Sequence, residues 1–389
     1  MPVKLSRRAR WAVPATGVAV TAAVIAGLQI PSAQASPTLP ARTPAQLLAE
    51  VSTDASLPPL TGTMVETTNL GLPQLPQVGN ATSISSMLTG SHTMKIYYQD
   101  ARQFRVSIPQ PESEIDLIRN GATGWLWNST ENSVTKFELP AAGKGKAARL
   151  KPELPRTPLT PQQAANELLK AVGKTTVVSV EANVMVAGEP SYQLVLAPKD
   201  GRSLVGKVTI AIDAKYGVPL RVQVFAKDSA SPAFQFGYTT IQFAAPAAAN
   251  YDFTPPPGAT VNVVNASDGS GTSSGGKQPD ASGFGSYGTS WLTVAELPQQ
   301  DLMQGIGAGG LKSSGSAAPT GNGPAGVVGG DSQAVISNLI GAAKPVHGAW
   351  GSGTLLTTSL FSVLMTGNEV YIGAVEPSVL YAAVGHTSS

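Results

Sequence analysis

The chain has 389 residues, enough for one large domain or two ordinary ones. Only 13% of the residues are charged, against about 25% in typical soluble domains, and 41 glycines with 31 prolines predict long irregular stretches. The absence of cysteine excludes disulfides, thiolate metal sites, a cysteine nucleophile and a lipidated N-terminal cysteine, while the absence of any Lys/Arg stripe beyond residue 35 argues against nucleic-acid binding.

The first 35 residues have the pattern of an export signal. A basic start precedes an apolar stretch from Trp11 to Ile30, and Ala33-Gln34-Ala35 is a small-x-small cleavage signal. We therefore predict cleavage before Ser36. The alternative is a retained N-terminal membrane helix, because about 18 to 20 apolar residues can just span a bilayer. Either way, the sequence predicts an extracytoplasmic protein of the bacterial envelope, free or anchored by this segment.

A helix and a strand are expected next. Thr43 as N-cap and Pro44 as first helical residue predict a helix that ends near Asp54. Residues 60–68 are predicted to form a strand, followed by a polar loop to about residue 91.

Residues 92–139 contain consecutive strands with almost no connecting sequence. Apolar residues alternate with polar ones before and after the turn at 100–103, and Asn120-Gly121 predicts a second tight turn. Trp125 and Trp127 share one face of the next strand because their spacing is two. They are expected either in a packed core or along an apolar cavity.

After a loop at 141–157, Thr160-Pro161 predicts a second helix, and alternating strands follow as far as residue 243. About ten strands occur in consecutive hairpins without a β-α-β rhythm. The fold class predicted is α+β, with a large curved antiparallel sheet that forms an incomplete barrel and a few helices as its lid. Two helices are too few to fill such a sheet, which favours a cavity.

Residues 263–345 are mostly Gly/Ser-rich and predict a flexible linker, interrupted by a short strand near 291–297 and a short helix at 331–340. Residues 346–389 predict a hairpin, with strands at 355–365 and 370–375, and a final helix from Pro377. An isolated hairpin is marginally stable in water, so this C-terminal segment is expected to dock on the main sheet.

No catalytic constellation is visible. His92, His347 and His386 are too few and too scattered for a triad or a metal site, and the Gly-rich matches at 271–275 and 283–288 lack the strands and helices that such motifs need. Glu112, Glu114 and Asp116 alternate on one strand face, which we interpret as solvated. We predict a protein that is not an enzyme, with no cofactor and no metal.

One segment resembles a known family. Phe104, Pro111-Glu112, Gly121, Trp125 and Trp127 follow the order of a segment in LolA-like lipoprotein carriers. The resemblance implies a half-barrel over residues 36–262 that holds acyl chains of a lipid or lipoprotein between the sheet and a helical lid. The cavity would be lined by apolar strand residues, and the candidates are Ile96, Tyr98, Phe104, Val106, Trp125, Trp127, Val184, Leu194, Ile210, Val222 and Phe236.

A second interpretation remains open. Regulators similar to RseB and MucB carry the same half-barrel joined by a linker to a smaller C-terminal domain. That resemblance implies a protein that senses envelope lipids and binds a membrane-bound anti-sigma factor, so the possible partners include a membrane protein as well as lipid or lipoprotein acyl chains.

Overall fold

The structure is a computed structural model, and it describes residues 37–52, 57–71, 89–138, 173–265, 285–299 and 341–387. The predicted export segment, the loop at 141–157, the helix at Thr160-Pro161 and the short helix at 331–340 lie outside the described residues. Within the described residues, no helix is long and apolar enough to cross a membrane.

Twelve strands form the main sheet, and most of them follow the period-two alternation of the sequence. They are β1 (Leu60–Asn69), β2 (Thr89–Asp100), β3 (Gln103–Pro109), β4 (Glu114–Asn120), β5 (Thr123–Asn128), β6 (Ser133–Glu138), β7 (Thr176–Val186), β8 (Glu189–Pro198), β9 (Val205–Asp213), β10 (Pro219–Ala226), β11 (Pro232–Gln242) and β12 (Thr260–Asn265).

The strand order in the main sheet is β12-β6-β5-β4-β3-β2-β1-β11-β10-β9-β8-β7. All neighbours are antiparallel except β12 and β6, which are parallel with Thr260 opposite Ser133. The sheet is open, because its outermost strands β12 and β7 do not pair with each other. The predicted large antiparallel sheet that stops short of a barrel is confirmed.

Helix α1 (Pro44–Ser52) begins where the sequence predicts. The Gln46 N–H donates to Thr43 Oγ1 at 3.2 Å and the Thr43 N–H donates to Gln46 Oε1 at 2.8 Å, which is a capping box. The helix buries Leu47 and Leu48 against Tyr192 and neighbouring residues of β8 and β9. This contact covers one end of the main sheet.

The C-terminal part forms a second sheet of six antiparallel strands in the order β13-β14-β18-β17-β16-β15. Helix α2 (Pro377–Thr387) packs on it, and the strands are β13 (Gly285–Tyr287), β14 (Val294–Pro298), β15 (Lys344–Gly348), β16 (Gly351–Thr357), β17 (Ser362–Met365) and β18 (Glu369–Gly373). Its fully buried core contains Val294, Leu364, Val375 and Leu380. The predicted hairpin is β17–β18, and the predicted final helix is α2.

One expectation about this region needs correction, and another gains a position in the fold. The single strand expected over 355–365 is two strands, because Thr358 turns the chain: its N–H donates to the Phe361 carbonyl at 2.9 Å. The strand expected near 291–297 is β14, and it belongs to the second sheet, where it pairs with β18. A short 3-10 turn at Ser290–Leu292 precedes it.

Main-chain hydrogen bonds join the second sheet to the first. The Leu204 N–H donates to the Ala374 carbonyl at 2.9 Å, and the Glu376 N–H donates to the Arg202 carbonyl at 2.8 Å. Lys227 also pairs with Glu376 at 2.8 Å. The loop between β8 and β9 is therefore the main attachment point of the C-terminal sheet.

Candidate ligand-binding face

Cross-strand register separates the side chains of the main sheet into two faces. Directly opposed residues of neighbouring strands share a face, so rows can be followed across the sheet. Tyr98 opposes Leu60 and Phe104, and Ile96 opposes Gly62 and Val106. We call the face that carries these rows the apolar face, and the other the opposite face.

Eight of the eleven predicted cavity residues lie on the apolar face. Another row of this face crosses β1 at Glu66, opposite His92 on β2, and runs through Phe236, Val222, Ile210 and Leu194 to Val180 on β7. The eight are Ile96, Tyr98, Phe104, Val106, Leu194, Ile210, Val222 and Phe236. Residues from six strands that are distant in sequence thus share one surface, although their role as ligand contacts stays a prediction.

Most of these side chains are only half-buried. Leu194 is fully buried beneath α1, but Ile96, Val106, Val222 and Phe236 all retain partial exposure. The row from Ile96 and Val106 continues to Leu117 and Leu126, two residues that the sequence reasoning missed. Leu117 is 42% exposed. The sequence pattern that could have identified Leu117 is its alternation with Asp116 and Ile118. This alternation assigns Leu117 to the apolar face once the register of β4 is known.

Trp125 and Trp127 lie on the opposite face, so the expectation that they join the other cavity candidates on one surface is wrong. Trp125 opposes Ile118, and Ile118 opposes Arg105. Arg105 lies between Phe104 and Val106, which are on the apolar face, so Arg105 and the residues opposed to it are on the opposite face. Both indoles contact Phe253, with ring centroids 5.5 and 6.4 Å apart. The segment after β11 therefore packs over the tryptophan pair.

Val184 is also out of phase with the apolar face. The register of β7 against β8 shifts between Glu181 and Val184, and Val184 opposes Ser191 instead of Leu194 or Tyr192. A β-bulge of this kind changes which side chains share a face. Val184 packs against a buried cluster that includes Val186, Ala211 and Leu60, and Ile96 and Tyr98 of the apolar face pack against the same cluster.

A buried ion pair lies on the opposite face. Arg105 donates to Asp116 across β3 and β4, and the Asp116 carboxylate is almost completely buried. Burial raises the pKa of Asp116 above its usual value, while the hydrogen bonds from Arg105 and Ser107 act in the other direction. The interpretation of Glu112, Glu114 and Asp116 as a solvated face is wrong for Asp116, because its partner on β3 makes burial possible.

The histidines do not form a site in the part of the chain that the structure describes. His92 lies in β2 of the main sheet and His347 lies exposed in β15 of the second sheet. No group of three His, Asp or Glu side chains among the described residues could hold a metal ion.

Two of the cavities among the described residues are lined by none of the eleven predicted residues. One, of about 420 Å³, has a mixed polar and apolar lining that includes Thr61, Lys95, Tyr97 and Ile241. The other, of about 450 Å³, lies where the two sheets meet and is lined by residues that include Lys174, Lys199, Arg202 and Trp291.

Comparison with known proteins gives matches to solved structures alone. No family model matches the chain, and no curated protein matches it. The MucA/MucB complex of Pseudomonas aeruginosa is 14% identical, covers 88% of this chain and 96% of its own, and has a TM-score of 0.38. A LolA superfamily protein from Nitrosomonas europaea is 9% identical over 55% of this chain and 99% of its own, with a TM-score of 0.17.

A putative outer membrane lipoprotein-sorting protein domain from Vibrio parahaemolyticus is 10% identical, covers 51% of this chain and 91% of its own, and has a TM-score of 0.18. These similarities concern the fold alone. The groups that the sequence resembles, LolA-like carriers and MucB, are both present among the structures to which this chain is similar.

Proposed function

We propose that the protein is an exported, extracytoplasmic lipid- or lipoprotein-binding protein that holds acyl chains against the apolar face without chemistry. The observation that carries this proposal is a pair of rows of apolar side chains on one face of the sheet. One row runs through Leu117, Val106 and Ile96 to Gly62 on β1, and the other runs from Glu66 on β1 through Phe236, Val222 and Ile210 to Leu194. Contiguous exposed apolar surface on a soluble protein marks a site for a membrane, a ligand or a partner.

The covering of this face supports a flexible ligand. Within the described residues, α1 covers Tyr192, Leu194 and Ile212 at one end of the face, whereas Leu117 and Leu126 lie at the other. Fully burying one Leu, Val or Phe side chain contributes about 1.5–3 kcal/mol. A ligand that completes the burial of several half-buried side chains therefore gains binding energy without displacing a packed core.

The test is a charge placed on the apolar face where it does not disturb folding. Leu117→Asp introduces a carboxylate at an exposed apolar position, and we expect it to weaken the binding of a fluorescent fatty-acyl probe by about tenfold or more, because a charge is costly against an acyl chain. Stoichiometric titration of the purified mature protein measures the effect.

Val177→Asp is the matched control. Val177 is 49% exposed, similar to Leu117, but it opposes Ala197 and lies on the opposite face. We expect this variant to bind the probe as the unmodified protein does. Equal weakening in both variants, or no saturable binding by the unmodified protein, would contradict the proposal.

Export is tested separately. N-terminal sequencing of the protein purified from its own envelope should begin at Ser36 if the signal is cleaved, whereas a start at or near Met1 in the membrane fraction indicates a retained anchor.

A second candidate function is a regulator that binds a membrane protein and senses lipid. The observation that favours it is the ordered second sheet, which is attached to the first by the Leu204–Ala374 and Glu376–Arg202 hydrogen bonds and adds a surface that a carrier does not need. A regulator purified from its envelope should retain a stoichiometric membrane protein that an added acyl ligand releases. Retained lipid with no such protein supports the carrier.

A further inference from the structure

The cavity between the two sheets lies just beyond the ends of β7 and β8. Lys174 and Thr175 immediately precede β7, while Lys199 and Asp200 immediately follow β8, and the segment around Trp291 closes the other side. Trp291 Nε1 donates to Thr176 Oγ1 at 2.7 Å, and the Thr175 and Ser290 hydroxyls are 2.8 Å apart. Direct hydrogen bonds between the two sheets therefore fix the wall of this cavity.

The charged lining of the cavity is mostly positive. Lys174, Lys199 and Arg202 contribute three cations against the single carboxylate of Asp200. Asp200 is already paired with Arg202, whose Nη2 lies 2.7 Å from Oδ2, and this partner lowers the pKa of Asp200 to about 2. Among the described residues, the two lysine charges have no carboxylate partner at ion-pair distance, and Lys199 Nζ donates one hydrogen bond, to the Gly173 carbonyl.

The cavity lies at the end of the apolar face. Thr176 opposes Pro198 and shares its face with Val178 and Val180, which belong to the apolar rows through Leu196 and Leu194. Val178 lies two residues along β7 from Thr176, and Lys174 lies in the turn just before this strand. A ligand whose acyl chain lies along the apolar face can thus extend its polar end into the cavity.

We propose that this cavity binds the phosphate group of an anionic lipid headgroup. The inference rests on the proposed acyl binding and adds the class of headgroup. Phosphate oxygens accept charge-assisted hydrogen bonds from ammonium and guanidinium groups. Lys174 and Lys199 are the principal donors, Arg202 adds positive potential, and Trp291 closes the site on the side of the second sheet.

The test uses three probes that share one fluorescent acyl chain and end in a phosphate monoester, a zwitterionic phosphocholine or a neutral alcohol. We expect the mature protein to bind the phosphate monoester about tenfold more tightly than the alcohol, and this preference should decrease as salt is added. Lys174→Gln/Lys199→Gln should abolish the preference and leave the affinity for the alcohol unchanged. The control variant Lys215→Gln/Lys344→Gln removes the same amount of charge at positions outside the cavity. It should retain the preference for the phosphate monoester.

The outcomes separate this inference from the proposed function. Equal affinity for the phosphate and alcohol probes, or a preference that survives Lys174→Gln/Lys199→Gln, overturns the headgroup site while acyl binding stands. If no acyl probe binds, titration with inorganic phosphate decides. Binding that the lysine double variant abolishes then identifies a site for free phosphate, which overturns the headgroup assignment, and no binding overturns the anion site altogether.

Discussion

Leu364 in the second sheet is completely buried, together with Leu380 of the helix that packs on it, whereas Leu117 in the main sheet is 42% exposed on the apolar face. In the second sheet, one eleven-residue helix packs on six short strands. In the main sheet, the nine-residue α1 covers one end of twelve strands within the described residues. The comparison shows that one sheet completes its own core, while the other leaves apolar side chains partly exposed within the described residues.

The largest expected effect breaks the closed core. Leu364→Ala should lower the free energy of unfolding by about 2–5 kcal/mol, because it removes buried methyl groups and leaves a cavity. Leu117→Ala should change it by only about 0.5 kcal/mol, since its side chain is already partly in solvent. Urea denaturation of both variants measures the difference. Similar losses would show that Leu117 is covered as well as Leu364.

A smaller effect concerns the cover of the tryptophan pair. Phe253→Ala should cost about 1–3 kcal/mol, less than a fully buried phenylalanine, because the ring is half-buried. It should also shift the emission of Trp125 and Trp127 to the red, measured with Trp291→Phe and Trp350→Phe in place. Phe225→Ala, remote from this pair, should leave the emission unchanged. An unshifted spectrum in Phe253→Ala would contradict the packing.

The buried ion pair predicts a pH dependence. Burial raises the pKa of Asp116 in the folded protein, so the folded state retains this proton at a higher pH than the unfolded chain does. The stability of the unmodified protein relative to Asp116→Asn should therefore decrease as the pH rises from about 4 through the raised pKa, and then become constant. Denaturation curves between about pH 4 and pH 8 measure this trend.

Asp200→Asn supplies the control of opposite sign. Arg202 lowers the pKa of Asp200 to about 2, so the contribution of this carboxylate is lost only as the pH falls below its ordinary value. The stability of the unmodified protein relative to Asp200→Asn should therefore be independent of pH from about pH 5 upwards. A flat profile for Asp116→Asn as well would mean that Arg105 fully offsets the burial of Asp116.

The smallest expected effect distinguishes the two faces of the main sheet. Adding a saturating acyl probe should leave the emission of Trp125 and Trp127 unchanged, again with Trp291→Phe and Trp350→Phe in place. Both indoles lie on the face opposite to the proposed ligand. A blue shift on binding would place the acyl chain beside the tryptophans and reverse the assignment of faces.

Local patterns predicted the strands and most of the apolar face. Alternation along β2 and β3 put Ile96, Tyr98, Phe104 and Val106 on common faces, and their opposition across the turn follows from the hairpin. Thr43 as N-cap and Pro44 as the first helical residue predicted the start of α1. These features depend on neighbouring residues, so the sequence alone reveals them.

The errors arose where the face of a residue depends on the register of distant strands. The face of Trp125 follows from its pairing with Ile118, and that of Val184 depends on a bulge, which alternation does not reveal. The pairing of β14 with β18 places Glu296 opposite Tyr371. These residues are far apart in the sequence, and no local pattern predicts that their strands pair. Asp116 was assigned to solvent because its partner Arg105 lies on another strand.

The central position of β1 has a consequence for how the chain folds. β1 pairs with β2 on one side and with β11 on the other, where Thr61 meets Gln242. The strands β2–β6 can form through consecutive hairpins, but the pairing of β1 with β11 needs the whole intervening chain. Contacts of such sequence separation slow folding, and an unpaired strand edge recruits other chains meanwhile. During synthesis, the edge of β1 therefore stays unpaired until residue 242 emerges, which exposes the growing chain to aggregation for that time.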